Sequence, residues 1–167
     1  MIRIRLASEV DRLSLERIAA EMGVVHEAGY FERCLSEQKE KKRAVFVAEM
    51  DGRLAGYAQL IWSPLYPPFR RLGIPEIQDL NVIPSLRRKG IGARLVEACE
   101  NLAHETGKTD IGIGVGLYAR YGAAQKLYVN KKYIPDGAGI CYDDVPVNAG
   151  DMRPVDDLLT LKLVKSL

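Results

Sequence analysis

The stretch from Ile77 to Ala93 constrains this chain more than any other part of its sequence. Its apolar first part predicts a β-strand from Ile77 to Ile83, and Pro84 ends the strand because proline has no N–H to donate. Three consecutive cations follow, and then two glycines one residue apart. An amphipathic helix is predicted next, because apolar residues recur at helical spacing: Ile91, Leu95, Ala98, Cys99, Leu102 and Ala103.

A strand that turns into a helix through such a segment is suited to binding phosphate. The first N–H groups of a helix lack internal partners and lie at the positive end of a dipole equivalent to about half an elementary charge. Gly90 and Gly92 have no side chains to hold an anion away from those groups. Arg87, Arg88 and Lys89 add positive charge. Tight turns and solvated surfaces also produce glycines and basic runs, but we favour a phosphate site.

Two better-known phosphate motifs fit the chain less well. Gly107-Lys108-Thr109 matches the end of a Walker loop, but Leu102 stands where the first glycine is required. The segment Gly114 to Ala119 has the looser dinucleotide spacing and follows an apolar stretch. No clean helical pattern opens at its end, however, and no acidic strand end lies about 20 residues further on. A dinucleotide domain therefore remains a minor alternative.

Length and composition exclude several classes of protein. The chain has 167 residues, which favours one domain over 1–167, and 47% of them are hydrophobic, enough for a core. A net charge of +2 argues against a nucleic-acid partner. No segment is apolar enough to predict a membrane span. Residues 1–5 alternate like a strand and do not resemble a signal peptide, so we expect a cytoplasmic protein.

The cysteines and histidines predict no metal site. Cys34, Cys99 and Cys141 are far apart in sequence, and two histidines complete the set. These spacings match no known ligand pattern and contain no C-x-x-C. We expect the thiols to act as small hydrophobic side chains, as in a reducing compartment.

Periodicity and turn signals predict the order β-α-α-β-β-β-α-β-α-β-β, an α/β protein with a mixed sheet. The first helix should be capped by Ser8 with Asp11 and stop near Gly23. Asp51-Gly52 suits a type I′ hairpin, and Gly56 is a candidate bulge. The expected strands are 2–6, 44–50, 53–62, 77–83, 110–115, 140–147 and 158–164. The other expected helices are 27–41 and 121–130, with a long loop at 63–75 and a turn at 133–137.

The motif Arg87-x-x-Gly90-x-Gly92, preceded by Leu80-x-Val82-x-Pro84, resembles the acetyl-coenzyme A loop of the GCN5-related N-acetyltransferase (GNAT) superfamily. That family has the pattern Arg/Gln-x-x-Gly-x-Gly/Ala and the same order of elements. The resemblance therefore covers nearly the whole chain, although only 80–93 is specific by itself. It implies a single GNAT-like domain that uses acetyl-CoA and no metal. The implied cofactor-binding residues are Leu80, Asn81, Val82, Arg87, Arg88, Lys89, Gly90, Ile91, Gly92, Ala93 and Tyr121.

The resemblance also implies how the pantetheine arm is held. This arm contains amides of its own, so it can pair with a strand edge as an added strand does. In the family that edge is the strand before the loop, here Leu80 to Val82, which diverges from the next strand and leaves backbone groups unpaired. An N–H there can stabilise the oxyanion of the tetrahedral intermediate, and losing such a donor costs about 10²–10³ in rate.

Tyr128 is the candidate general acid. The segment from Ala124 through Leu127-Tyr128 to Tyr133 resembles the family pattern A-x-x-L-Y-x-x-x-G-F/Y, whose tyrosine often protonates the departing thiolate. The alternative is a core tyrosine with a hydrogen-bonded hydroxyl. The chain departs from the pattern twice: Lys132 replaces the glycine, and Tyr121 stands where many members have an asparagine that contacts the pantetheine.

Two carboxylates are candidates for the general base that removes a proton from an amine, Glu76 and Asp79. Strict alternation along a strand puts them on opposite faces, so without a bulge only one can face a pocket. We favour Asp79, because the similar family segment often has an acid just before the Leu-x-Val. The alternative is an exposed or capping carboxylate.

The acceptor side is predicted from aromatic residues, which can hold a small amine by shape and by cation–π contact. We expect Tyr30, Trp62 and Tyr66 to contact the substrate, although each can equally belong to the core. The favoured function is therefore acetyl-CoA-dependent N-acetylation of a primary amine on a small molecule, with a peptide amine less favoured. The alternative is a non-catalytic acyl-CoA-binding or sensor module of the same fold. We expect a monomer or a homodimer.

Overall fold

The computed structural model describes residues 1–167. Its eight strands are β1 (Ile2–Leu6), β2 (Arg43–Met50), β3 (Arg53–Ile61), β4 (Glu76–Val82), β5 (Asp110–Gly116), β6 (Ile134–Tyr142), β7 (Val145–Pro146) and β8 (Leu159–Ser166). Its five helices are α1 (Arg12–Glu21), α2 (Tyr30–Lys39), α3 (Pro67–Leu72), α4 (Ile91–Glu105) and α5 (Gly122–Asn130). The predicted mixed α/β class is confirmed. None of the helices combines the length and the apolar character that crossing a membrane requires.

The chain forms two compact units, and the prediction of a single domain stays a prediction. The first unit contains residues 1–62 and 77–102. Its strands lie in the order β1-β2-β3-β4, with β2 antiparallel to both β1 and β3. The apolar faces of α1 and α2 cover these strands and form one core cluster: Ala7, Leu15, Ile18, Ala19, Phe31, Cys34, Leu35, Val45, Val47 and Tyr57.

The capping box and the hairpin that the sequence predicts are both present in the first unit. Ser8 and Asp11 make the capping box, and Asp11 also accepts two hydrogen bonds from Arg5 at 2.7 and 2.8 Å. Asp51 and Gly52 have φ angles of 52° and 75°, as a type I′ hairpin requires. The second helix begins at Tyr30 and not at residue 27, because Gly29 before it is left-handed with a φ of 74°.

A close approach between β3 and β4 explains Gly56. The pairing of β2 with β3 shifts register there, since Ala48 pairs with Gly56 but Glu49 pairs with Leu54. The bulge is thus at Ala55, beside the glycine that signalled it. A Cβ on Gly56 would lie 2.5 Å from the backbone oxygen of Asn81. Residue 56 is a glycine because the backbones of β3 and β4 approach too closely here to leave room for a Cβ.

The second unit contains residues 63–76 and 103–167. Its strands lie in the order β5-β8-β6-β7, and each pairs antiparallel with its neighbour. The prediction of an irregular loop at 63–75 is wrong, because α3 lies within it. Pro67 and Pro68 occupy the first helical positions, where the missing N–H costs nothing. Phe69 within α3 and Tyr66 just before it lie in a buried cluster with Cys141.

The predicted turn at 133–137 and the single strand at 140–147 are also wrong. Ile134 and Pro135 already pair with β8, and the ladder resumes at Ile140 after an irregular interruption. The strand then ends at Tyr142. Asp143 and Asp144 have φ angles of 50° and 62° and form a tight turn into β7. The proline and the glycines of residues 135–139 therefore mark an irregular segment within β6, and not the turn before β6 begins.

We expect Gly56→Ala to destabilise the protein by about 1–3 kcal/mol, because its Cβ would overlap a backbone oxygen of β4. The measurement is the free energy of unfolding from urea denaturation. Gly122→Ala is the matched control, since it adds the same methyl group to a position with no atom within 4 Å. Equal stability of the two variants would contradict this close approach.

Candidate active site

The turn from β4 into α4 has the geometry of an anion site. After Val82 the chain makes one 3₁₀ turn at Pro84–Leu86 and enters α4 at Ile91. Between them Arg88 and Gly90 have φ angles of 62° and 83°, both in the left-handed region. The Arg87 Nε donates to the Val82 backbone oxygen at 3.1 Å and so holds the turn against the end of the strand.

The start of α4 is open. Residues 87–90 are exposed, and a Cβ on Gly90 would have no atom within 4 Å. The Arg94 N–H donates to the Gly90 oxygen at 3.1 Å, so the N–H groups of residues 91–93 come before this bond of the helix. The opposite face of the helix is buried through Ile91, Leu95, Val96, Cys99 and Ala103. The predicted amphipathic helix is confirmed, and its roles in cofactor binding stay predictions.

Asp79 interrupts the regular strand β4. Its φ angle is 52°, so the strict alternation assumed from the sequence is broken at this residue. Its Oδ2 accepts hydrogen bonds from the Tyr30 hydroxyl at 2.5 Å and from the Gln59 Nε2 at 2.9 Å. Asp79 keeps about a quarter of its side chain exposed, with 23% accessible. It is therefore an oriented carboxylate that solvent can reach.

A buried polar layer supports the Asp79 contacts. Gln59 has no exposed surface, and its Oε1 accepts from the Arg43 Nη1 at 2.7 Å. Beside it the Asn81 Nδ2 donates to the Tyr57 hydroxyl at 3.0 Å. Burial, and next the charge of Asp79, raises the pKa of both Tyr30 and Tyr57. Both phenols therefore remain protonated, which suits Tyr30 as a donor to the carboxylate.

His26 completes this group, and no role was predicted from the sequence for His26 or for Gln59. Its ring stacks on the Tyr30 ring with centroids 3.8 Å apart and planes 4° apart. Its Nε2 lies 3.7 Å from the Asp79 Oδ2. The segment before α2 has no periodic pattern, so only the fold brings this imidazole to the carboxylate.

Glu76, the other candidate base, lies in a buried ion cluster of the second unit. Its Oε1 is 2.5 Å from the Lys162 Nζ, and its side chain is 1% exposed. The same ammonium is 2.7 Å from Asp144, and the Tyr66 ring centroid is 5.2 Å from it. Burial alone would lower the pKa of Lys162, but the two carboxylates outweigh it and the pKa is raised. Glu76 therefore has a structural role as an ion-pair partner, and the catalytic roles predicted for Glu76 and Asp79 both stay predictions.

Tyr128 is buried within α5 of the second unit and is 5% exposed. Burial raises its pKa, so the hydroxyl is protonated at neutral pH, as a proton donor must be. Tyr121 lies at the start of the same helix, and its hydroxyl donates to Asp157 at 2.9 Å. The catalytic role of Tyr128 and the pantetheine contact of Tyr121 stay predictions.

The glycines of the minor alternative, the dinucleotide segment, have other neighbours. Gly114 and Gly116 lie inside β5 and not in a turn before a helix. A Cβ on Gly116 would overlap the Tyr121 ring, and one on Gly114 would touch the Lys162 side chain. These glycines give space to side chains, so the structure does not support a dinucleotide site.

The three predicted substrate residues differ in position. Tyr30 contacts Asp79, as described. Tyr66 is 1% exposed and donates its hydroxyl to Asp136 at 2.7 Å, which is the environment of a core side chain. Trp62 is half-buried at the end of β3. Tyr30 contacts Asp79 directly, whereas the Tyr66 ring lies against Lys162, the ion-pair partner of Glu76. Contact with substrate stays a prediction for all three.

Comparison with known proteins gives the family. Residues 12–130 match the sequence model of the Acetyltransferase (GNAT) family, so the chain belongs to that family. It is 35% identical over 89 residues to an uncharacterized N-acetyltransferase of Archaeoglobus fulgidus, a match covering 52% of this chain and 56% of that protein. It is 30% identical over 101 residues to the uncharacterized N-acetyltransferase YhfO of Bacillus subtilis, covering 59% and 63%. The chain thus spans less than two thirds of either relative.

A solved structure shares the fold over the full length. A Salmonella typhimurium protein, yncA, was solved with its cofactor acetyl-CoA and described as an acetyltransferase. It superposes with a TM-score of 0.73, covering 99% of this chain and 94% of that one, at 18% identity. At this identity the likeness concerns the fold, and it agrees with the family assignment.

We expect Lys162→Met to destabilise the protein by about 3–5 kcal/mol, because it leaves the buried Glu76 carboxylate without its ammonium. The measurement is thermal and urea unfolding at neutral pH, with Lys126→Met on the exposed side of α5 as the control. Since the pKa of Lys162 is raised, its contribution is complete below the ordinary lysine pKa of about 10.4 and is lost only above it. A loss equal to that of the control would contradict the structural role of the cluster.

Proposed function

We propose that this protein transfers an acetyl group from acetyl-CoA to a primary amine. The observation that carries the proposal is the open, cationic turn at Arg87–Gly92, within a chain that belongs to the GNAT family. N–H groups without internal partners at a helix start, next to side chains of positive charge, are suited to a diphosphate. The acetyl-CoA bound in the yncA structure supports the choice of donor.

A small-molecule amine is the acceptor we favour. Asp79 offers a carboxylate that solvent can reach, and its negative charge attracts a cationic amine. An alkyl amine is protonated at neutral pH and must lose a proton before it attacks a thioester. Asp79 is a solvent-accessible carboxylate of the first unit that can begin this transfer. Peptide amines belong in the same test.

The chemistry divides among residues of this chain. Asp79 accepts a proton from the acceptor ammonium, and the free amine attacks the thioester carbonyl. The new carbon–nitrogen bond forms and the carbon–sulfur bond breaks as the intermediate collapses. Tyr128 is proposed to protonate the departing thiolate, for which its raised pKa keeps a proton available.

The first experiment measures thiol release from acetyl-CoA against a panel of small amines and peptides, with coenzyme A binding measured separately by calorimetry. Binding together with amine-dependent thiol release is the expected result. Binding without turnover on any amine would favour the acyl-CoA sensor, and absence of binding would contradict the proposal.

We expect Gly90→Glu to weaken coenzyme A binding about tenfold or more, because it puts an anion beside the diphosphate site. Gly107→Glu is the matched control. Both glycines have nearly the same φ angle, 83° and 81°, and a Cβ added to either would have no atom within 4 Å. The two variants therefore share the backbone cost and differ in their distance along the chain from the cationic turn. Equal affinities would contradict the assignment of this turn.

We expect Tyr128→Phe to lower kcat about 10²-fold with little change in coenzyme A affinity, because it removes the proposed donor to the thiolate. Tyr133→Phe is the control, since Tyr133 is also a buried tyrosine and its ring centroid lies 6.1 Å from that of Tyr128. Steady-state kinetics with the best amine of the panel measures both. Unchanged turnover in Tyr128→Phe would remove this residue from the mechanism.

A further inference from the structure

The imidazole of His26 has a buried nitrogen without a hydrogen bond. Its Nε2 is shielded from solvent and makes no hydrogen bond within the protein. A buried polar atom left unpaired costs about 1–3 kcal/mol, so such an atom calls for an explanation. The nearest carboxylate oxygen is the Asp79 Oδ2, at 3.7 Å. That distance is too long for a hydrogen bond but short enough for an ion pair once the imidazole is charged.

The ring is held in this position by its aromatic neighbours. It lies parallel to the Tyr30 ring and meets the Phe31 ring edge-on, with centroids 5.4 Å apart. The hydroxyl of the same Tyr30 donates to the Asp79 Oδ2 at 2.5 Å. One tyrosine thus fixes both the imidazole and the carboxylate. The stacking on Tyr30 therefore directs the unsatisfied nitrogen toward Asp79.

The other ionisable groups around His26 leave Asp79 as its one charged partner. The Tyr30 phenol and the Cys34 thiol are kept neutral, because burial raises the pKa of each. Glu27, next to His26 in the chain, pairs with Arg33, and that guanidinium lies over the Tyr30 ring. Deeper in the unit, Arg43 pairs with Glu37. A proton gained by His26 is therefore balanced by the Asp79 carboxylate.

We propose that His26 receives, through Asp79, the proton that the acceptor amine loses, and returns it to solvent. This inference rests on the proposed function and adds a residue to it. His26 does not touch the reacting atoms, so it is a positioning and proton-carrying residue. An imidazole changes charge near neutral pH, whereas a carboxyl group ordinarily does not, so the pair can clear a proton that Asp79 alone would hold poorly.

The protons balance over one turnover. The ammonium R–NH₃⁺ gives one proton to Asp79, which passes it to the His26 Nε2 once the two atoms approach from 3.7 Å to hydrogen-bonding distance, and becomes a carboxylate again. The imidazolium then releases a proton to water through its other nitrogen, Nδ1, because the Nε2 is shielded from solvent. The amine nitrogen forms its bond to the acetyl carbon, and the carbon–sulfur bond breaks. The departing thiolate acquires one proton. The amine nitrogen loses a second proton, which makes up for the one that the thiolate acquired. The sum is R–NH₃⁺ and acetyl-CoA going to R–NH-acetyl, CoA-SH and one H⁺.

A first test does not depend on turnover. The chain has two histidines, so its imidazole NMR spectrum contains the signals of two rings, and exposed His104 is the internal control. We expect Asp79→Asn to change the ring signals of His26, because it removes the carboxylate that lies 3.7 Å from the Nε2, and to leave those of His104 unchanged. Asparagine tolerates the left-handed backbone of residue 79, which favours an intact fold. Unchanged His26 ring signals would overturn the pairing.

A second test separates this inference from the proposed function. His26→Phe keeps the stacking on Tyr30 but removes the nitrogen, and His104→Gln is its control. We expect kcat/KM of His26→Phe to fall about tenfold at neutral pH, with loss of the acidic limb of the wild-type pH profile and unchanged coenzyme A affinity. An active wild type with the same profile in His26→Phe would overturn the proton route alone. A wild type that binds coenzyme A but acetylates no amine would overturn the proposed function, and the proton route with it.

Discussion

The left-handed backbone between β4 and α4 is the constraint on which the proposed function depends. The chain must leave a strand and enter a helix without covering the first N–H groups of that helix. Arg88 and Gly90 achieve this with φ angles of 62° and 83°. A left-handed residue other than glycine costs about 1–3 kcal/mol. The turn keeps Arg88 in that conformation and presents it to solvent beside Arg87 and Lys89, which suits anion binding better than it suits stability.

The strand β4 contains two carboxylates that look equivalent in sequence and have opposite environments in the structure. Glu76 at its start is fully buried and neutralised by Lys162. Asp79, three residues later, is partly exposed, with its Oδ2 held by the neutral donors Tyr30 and Gln59. Environment and not residue type therefore separates an ion-pair partner from a candidate base.

Local patterns predicted the parts of the fold whose causes are local. The Asp51-Gly52 hairpin, the Ser8 capping box and the strand–turn–helix unit at 77–105 all depend on residues close in sequence. The sequence did not reveal α3, because its prolines read as a loop although they suit a first helical turn. The Lys162 partner of Glu76 lies 86 residues away. His26 likewise meets Asp79 only through tertiary packing. Such contacts have no signature in spacing or composition.

The most direct test of the account is a ¹⁵N–¹H NMR titration with acetyl-CoA, followed residue by residue at the backbone amides. If N–H groups at the start of α4 bind the diphosphate, the largest shifts will occur at residues 88–93, and Gly107 will not respond. Largest shifts at residues 114–119, or none at 88–93 while the cofactor binds, would contradict the account.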